Sequence, residues 1–508
     1  MKTYLVILIL IIALFLRLYR LDDLMPFIGD FAWFYISARD MLLTGEIPLV
    51  GITSSYTWVH QGPLWTYLLA IPLFISNFNP LSGGYFTAII GTIAVFFIYK
   101  IGTQMFSKLV GIVAAALYAT SPLAIIHARM PYHTSFIPLV TLLFFFFLYR
   151  WIKGDIRFLP FVLLTLGVLY NLELVTMVLW VLLLIILVYG IIKRRRWLTQ
   201  ALKPNIVALS YFLFLLVMLP MIIYDFKEQS GFYQTTAFFR LIKIYLFSQS
   251  QTFSFETLQN VLSSLFSYNQ GLVFLANGMI AFLLTLFSFI YLILITSGFR
   301  HSEIPSPQPS PLGRGGGENS SPVGRGRKKS SLSPWERARV RVDSGQDRMT
   351  KSALLLVLWI AIPLCGIIIS RTASEAYVPM FFPAIIISIA LTFNFMYKRQ
   401  ATTAIIILVF VMTTNGYLVV AKNYLMGTAG GYGLQFSKRL SIAHEIVKKS
   451  KGREYNIIGK GKGSEHKSFT ANYEYLTWWL GHPPSTEKGD IVFTIDEKEG
   501  RVYLNKND

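Results

Sequence analysis

The sequence predicts an all-α polytopic membrane protein, and three observations carry that prediction. Of 508 residues, 54% are hydrophobic and 14% charged, where a soluble domain has about 25% charged residues. Apolar stretches recur from residue 4 to residue 421, and several reach the roughly 20 residues that a helix needs to cross a hydrocarbon core about 30 Å thick. Basic residues gather in alternate short connections between those stretches, as cytoplasmic loops of membrane proteins do.

Residues 1–20, MKTYLVILILIIALFLRLYR, join a long apolar run to Arg17 and Arg20 with no small-residue cleavage site, which reads as an uncleaved first span with its N-terminus in the cytoplasm. Further spans are expected at 82–99, 109–126, 134–151, 158–171, 174–192, 204–224, 272–297, 352–370, 379–397 and 401–421, giving about 11 transmembrane helices. Pro63–Phe78 is 16 residues long with Pro72 inside it, short for a crossing. Were it to cross, the Lys-Arg-Arg-Arg run at 193–196 would face outwards, against the positive-inside rule. It is therefore expected as an interfacial or re-entrant helix on the outer face.

The net charge of +20 then divides unevenly: +18 on the expected inner side, −2 in the outer membrane-proximal loops and +4 in the tail from Lys422. The basicity argues for orientation in a bilayer and against a nucleic-acid partner. The single cysteine, Cys365, lies in an apolar segment, which excludes an intrachain disulfide and a cysteine metal cluster.

Four segments follow. A transmembrane core occupies 1–300, with long outer loops at 21–81 and 225–270, and its last spans occupy 352–421. Between them, 301–351 is rich in Pro, Gly, Ser and Arg and reads as a disordered, basic cytoplasmic insert; its wording resembles translated palindromic repeats of bacterial genomes. Residues 422–508 form a small extracytoplasmic α/β tail, with a helix at Ser441–Lys449 and strands at Tyr455–Ile458 and Ile491–Ile495. The Gly-Lys-Gly-Lys-Gly run at 459–463 lacks P-loop spacing and reads as a hairpin turn.

The spans hold almost no ionisable residues, and polar groups collect at their outer ends. That pattern points to chemistry at the outer surface rather than to a transport path, which would place charges deep in broken helices.

In the first outer loop the string PFIGDFAWFYISARDMLLTGEIPLVGITSSYTWVHQGPLW carries a carboxylate after the first span, Ala38-Arg39, a Gly-x-x-Pro turn and His60 before Gly-Pro-Leu. Further along stand His127-Ala-Arg-Met-Pro-Tyr-His-Thr-Ser-Phe-Ile-Pro138 and Arg371…Tyr377-Val-Pro-Met-Phe-Phe-Pro383. In their order over about residues 1–400, these motifs resemble the GT-C glycosyltransferases of the protein O-mannosyltransferase and aminoarabinose transferase superfamily. The resemblance implies a GT-C helical bundle with outer interfacial helices. It also implies inverting transfer of a sugar from a polyprenyl-phosphate donor to an envelope acceptor (lipid, glycan or protein) on the outer face of the membrane, here the inner membrane of a bacterium.

Residue by residue, Asp30 matches the carboxylate that would take the acceptor's proton, with helix N-capping as the competing role. Where relatives carry a second acid, this chain has Phe31. Arg129 and Arg371 match basic positions suited to a carrier phosphate, or to anchoring at the head groups; Tyr377 offers the same phosphate a hydrogen bond. His133 stands where relatives have Asn or Asp, and Glu173 is a cavity candidate because acids at membrane depth face polar space. His60 stands where some relatives hold a metal-ligating acid. With His133 and Glu173 it offers donors suited to a divalent cation, although no local ligand motif is present. Two alternatives remain in view: a polytopic flippase or transporter of a lipid-linked glycan, and an outer-face glycan polymerase or ligase.

Overall fold

The computed structural model describes residues 2–53, 58–195, 197–198, 203–228, 232, 234–244, 255–297, 334–422, 424–425, 433–461, 463–464, 466, 468–489, 491–496 and 501–506, of which 2–3, 238, 334–348, 502 and 504–506 are described by their backbone alone. Helices α1 (Lys2–Leu18), α2 (Leu21–Leu24), α3 (Gly29–Thr44), α4 (Leu64–Ile75), α5 (Leu81–Met105), α6 (Lys108–Thr120) and α7 (Pro122–His127) come first. Next are α8 (Ile137–Ile152), α9 (Leu159–Leu172), α10 (Val178–Ile192), α11 (Pro204–Lys227), α12 (Ala237–Lys243), α13 (Phe255–Val273) and α14 (Gly278–Thr296). The chain continues with α15 (Pro334–Ser370), α16 (Phe382–Arg399), α17 (Ala401–Val420), α18 (Phe436–Ser450), β1 (Tyr455–Lys460), α19 (Ala471–Trp479), β2 (Ile491–Asp496) and β3 (Arg501–Lys506).

Among the described residues, eight helical stretches are long and apolar enough to cross a membrane, from Leu81–Met105 to Ala401–Val420. Three further expected spans, Tyr4–Leu18, Lys108–Thr120 and Ile156–Leu172, are shorter apolar helices. Helices serve here because a hydrocarbon interior offers no partner for backbone N–H and C=O groups, which a helix satisfies internally. Pro63–Phe78 contributes only the 12-residue α4, with Pro72 in its last turn. Residues 301–333 of the expected insert lie outside the described residues; 334–351 are helical and continue into the span, so that α15 is a single 37-residue helix.

Small and aromatic residues set the packing of the bundle. Alanines 114–116 of α6 are buried, and α6 lies against α5 and α16. Phe145 of α8 stacks on Trp359 of α15 with ring centroids 3.9 Å apart and planes 8° from parallel. The Trp359 indole donates to the Met380 carbonyl at 2.7 Å, fixing the turn at Val378–Phe381 that precedes α16.

The tail folds as expected from its apolar alternation, with a core of Ile442, Ile446, Tyr455, Tyr473, Ile491, Phe493 and Ile495. Its sheet order is β1-β2-β3. Strands β1 and β2 are parallel, with Tyr455 opposite Ile491, and β2 and β3 are antiparallel. The Gly-Lys run is therefore not a hairpin turn: Gly459 and Lys460 complete β1, and the chain reaches β2 through α19, because parallel strands require a crossover.

Candidate active site

After α1 the chain turns back through α2 and enters α3. Ile28 is extended and occupies the N-cap without a side-chain cap, which leaves Asp30 in the first helical turn, where the helix dipole favours an acid. Asp30 is thus not the capping residue. Its Oδ1 accepts from Ser468 Oγ of the tail at 2.6 Å. Gly29 makes that approach sterically open: a Cβ there would lie 1.6 Å from the Ser468 carbonyl oxygen.

Beside Asp30 sits Tyr132, in the connection between α7 and α8, with Phe31 and Phe34 against its ring at 4.6 and 5.9 Å. Burial pushes its phenol well up, and Asp30, Glu173 and Tyr377 add to that in turn. Through Phe31 and Phe34 the helix of Asp30 packs against Tyr132 and His133, although the two segments lie far apart in sequence.

Glu173 is buried at the junction of α9 and the 3-10 turn Leu174–Met177. Its Oε2 lies 3.1 Å from His133 Nε2, and its Oε1 accepts from Gln61 Nε2 at 3.1 Å. Gln61 Oε1 in turn accepts from the Leu174 amide at 3.2 Å, so one amide side chain ties the loop before α4 to the α9–α10 junction. Gly62 belongs to the same joint; its N–H donates to the Asn171 carbonyl, and a Cβ would meet Asn171 Oδ1 at 1.9 Å.

Glu173, Gln61, Ser370 and Tyr377 form the polar end of a cavity of about 500 Å³ whose remaining walls, chiefly from α10 and α15, are aliphatic. The cavity thus joins an apolar slot to a carboxylate.

His60 stands apart from this pair. Its amide donates to Gln234 Oε1 at 3.1 Å, and Gln234 Nε2 lies 3.3 Å from His60 Nδ1. Gln234 is held by Asp225, whose two oxygens accept from the amides of Gln234 and Thr235 at 3.0 and 2.8 Å. Burial lowers the imidazole pKa of His60. Among the described residues no three His, Cys, Asp or Glu side chains stand together as a metal site. The donor set suggested by sequence is divided between Gln234 and Glu173 and does not fit a metal centre.

Arg129 is buried in the connection after α7. Its Nη1 donates to the carbonyls of Arg17 and Tyr19 at 2.9 and 2.8 Å, and Nη2 reaches that of Arg20 at 3.4 Å. The guanidinium thereby closes the C-terminal end of α1, and burial lowers it to about 10, with Asp22 acting the other way. Arg371 has a left-handed backbone, φ 55°, where α15 ends one residue after cavity-lining Ser370. His127, without an assigned role in the sequence, pairs with Glu375 at 3.0 Å.

Of the residues that sequence reasoning named, Glu173 and Tyr377 line the cavity, His133 bonds Glu173, and Asp30 lies on the helix that packs against Tyr132. That reasoning passed over Ser468, Gln61, Tyr132, Gln234 and Asp225. Gln61 beside His60 and Asp225 at the end of an apolar run were visible as polar residues at span ends; nothing local distinguishes Ser468.

Residues 60–224 match the family model described as dolichyl-phosphate-mannose-protein mannosyltransferase. The structure is similar to ArnT from Cupriavidus metallidurans bound to undecaprenyl phosphate, with a TM-score of 0.60 at 13% identity, covering 95% of this chain and 85% of that one. The chain has the GT-C fold. The GT-C bundle is also seen in the Archaeoglobus fulgidus oligosaccharyltransferase in complex with zinc and sulfate, with a TM-score of 0.54 at 10% identity. That match covers 93% of this chain, which spans only 61% of the archaeal protein's length. The archaeal enzyme in complex with an inhibitory peptide and a dolichol-phosphate gives a TM-score of 0.50 at 11% identity, covering 94% of this chain and 63% of that one. No curated protein sequence matches the chain.

Proposed function

We propose that this GT-C protein is an inverting glycosyltransferase that moves a sugar from a polyprenyl-phosphate donor to an envelope acceptor at the outer face of a bacterial cytoplasmic membrane. The observation that carries this reading is the seating of the helix of Asp30, through Phe31 and Phe34, on Tyr132 and His133, with His133 bonded to Glu173 at the polar end of an aliphatic cavity that Tyr377 also lines. A cavity of about 500 Å³ suits the first isoprene units of a carrier lipid entering sideways from the bilayer. Such a donor also needs no nucleotide-binding domain.

In this reading Asp30 accepts the proton of the acceptor hydroxyl as the acceptor oxygen bonds to the anomeric carbon. The bond from that carbon to the phosphate oxygen breaks on the opposite face, and its electron pair leaves with the polyprenyl phosphate, so the configuration inverts. Arg371, beside the cavity, stabilises the departing charge, and the Tyr377 hydroxyl adds a hydrogen bond to it. Arg129 holds α1 against the connection that carries Tyr132. Glu173 and Gln61 bind sugar hydroxyls at the cavity mouth, with His133 orienting Glu173.

The test uses membranes holding wild type or Asp30→Asn, incubated with radiolabelled polyprenyl-phosphate sugars and extracted envelope acceptors. Removing the base is expected to lower transfer about 10²–10⁴-fold. Equal transfer by both proteins removes Asp30 from the mechanism. Movement of labelled lipid across the membrane without covalent transfer supports the flippase instead.

A further inference from the structure

The tail, more than 400 residues from Asp30 in sequence, reaches that carboxylate through Ser468. Among the described residues no other side chain hydrogen-bonds it. The contact belongs to a built joint. The Asn472 side chain donates to the Phe27 carbonyl at 3.2 Å and the Tyr475 hydroxyl to the Phe78 carbonyl at 2.8 Å. Phe27 meets Tyr35, Phe436 and Tyr475 edge to face, with centroids 5.0 to 6.3 Å apart. On the far side of α3, Arg39 lies over the Trp478 ring at 4.8 Å. The joint encloses the backbone of Gly29 and Ser468, and both partners are buried or half-buried along it.

We propose that Ser468 is a positioning residue for Asp30, so that the C-terminal unit is a working part of the transferase site. This rests on Asp30 being the base. An ionised carboxylate only accepts, through two equivalent oxygens, and its terminal torsion is broad. A hydroxyl fixed on Oδ1 sets the plane of the group and leaves Oδ2 to receive the acceptor's proton. Because Ser468 is held by backbone packing at Gly29 rather than by its own side chain, the orientation of Asp30 depends on the docking of the whole tail.

The test compares wild type, Ser468→Ala, Ser468→Thr, Asp30→Asn and the double variant Asp30→Asn/Ser468→Ala. Each is tested as the full chain in membranes, with radiolabelled polyprenyl-phosphate mannose, glucose, galactose and aminoarabinose and extracted envelope acceptors. Ser468→Ala is expected to lower kcat about tenfold with the KM for the lipid donor unchanged, the size set by one hydrogen bond to a charged group. Ser468→Thr, which keeps the hydroxyl, restores the rate, and Ser468→Ala lowers the residual transfer of Asp30→Asn no further. An unchanged kcat in Ser468→Ala, when Asp30→Asn is inactive, overturns the positioning role and leaves the base intact. So does an Ala variant that loses its fold, since the contact is then structural. Wild-type transfer by Asp30→Asn, or no transfer by wild type from any of the four donors, removes the base and the positioning role together.

Discussion

Replacing Gly29 with Ala asks whether the C-terminal unit is seated on the helix of Asp30 as tightly as the geometry requires. The new Cβ would stand 1.6 Å from the Ser468 carbonyl oxygen and 2.6 Å from its carbonyl carbon. Both are backbone atoms, so no side-chain rotation relieves the overlap. Cβ contacts do not fall below 3.0 Å, and going from 1.6 to 3.0 Å demands a retreat of about 1.4 Å. If Ser468 moves by that much, its 2.6 Å hydrogen bond to Asp30 stretches to about 4 Å and is lost. Overpacking costs about 1–3 kcal/mol, and a hydrogen bond to a charged group about 1.5–3 kcal/mol. The cost falls on the docking of the tail more than on the bundle, since the overlap lies between them. Amide hydrogen exchange in detergent or nanodiscs is the assay: α18 and α19 are expected to exchange about ten-fold or more faster in Gly29→Ala, with α8 and α16 unaffected. Unchanged protection of α18 and α19 would refute the close seating of Ser468 on Gly29.

Two further predictions concern the same end of the bundle. The Ser437 hydroxyl, ahead of Arg20, holds the Asp23 carboxyl below its usual 3.8. A carboxyl lowered in the folded state stabilises docking above pH 3.8 and ceases to do so as pH falls through its lower folded value, so tail release followed by tryptophan fluorescence should move to higher pH in Ser437→Ala; a coincident midpoint contradicts it. Arg129→Lys replaces the two-nitrogen fork that spans the carbonyls of Arg17, Tyr19 and Arg20 by a single ammonium and is expected to cost about 1–3 kcal/mol, read as a lower unfolding temperature, with the donor KM unchanged. A raised donor KM at unaltered stability would return Arg129 to the carrier phosphate.

Fold class was legible because membrane helices must satisfy their own backbone over a fixed thickness, which leaves long apolar runs in the sequence. Length alone does not sort the shorter segments: the 12-residue α4 and the 13-residue α6 are alike in length and apolar character, and only the basic run at 193–196 sets the first apart in the sequence. Strands β1 and β2 were visible as short apolar runs, but their parallel pairing was not, because register depends on α19 lying between them. The role of Arg129 was equally hidden. Its sequence position says that it lies at a span end; only the crossing of α1 and α7 decides that its donors meet carbonyls. His60 and His133 look like a pair in sequence, yet the fold gives one to Gln234 and the other to Glu173.

The absence of an acid after Asp30 has a structural counterpart. Phe31 occupies that position and places its ring 4.6 Å from Tyr132. A carboxylate at residue 31 would therefore face the same buried phenol that Asp30 and Glu173 already influence. A charge buried against that ring without a partner would be costly. Glu173, at the junction of α9 and α10, is steadied by His133, the neighbour of Tyr132, and by Gln61. The surroundings of this acid are thus set by the packing of distant helices rather than by adjacency in the chain. The loop before α4 and the α9–α10 junction hold their relative position through Gln61, bonded to both Glu173 and the Leu174 amide, so that the setting of Glu173 depends on a residue more than 100 positions away.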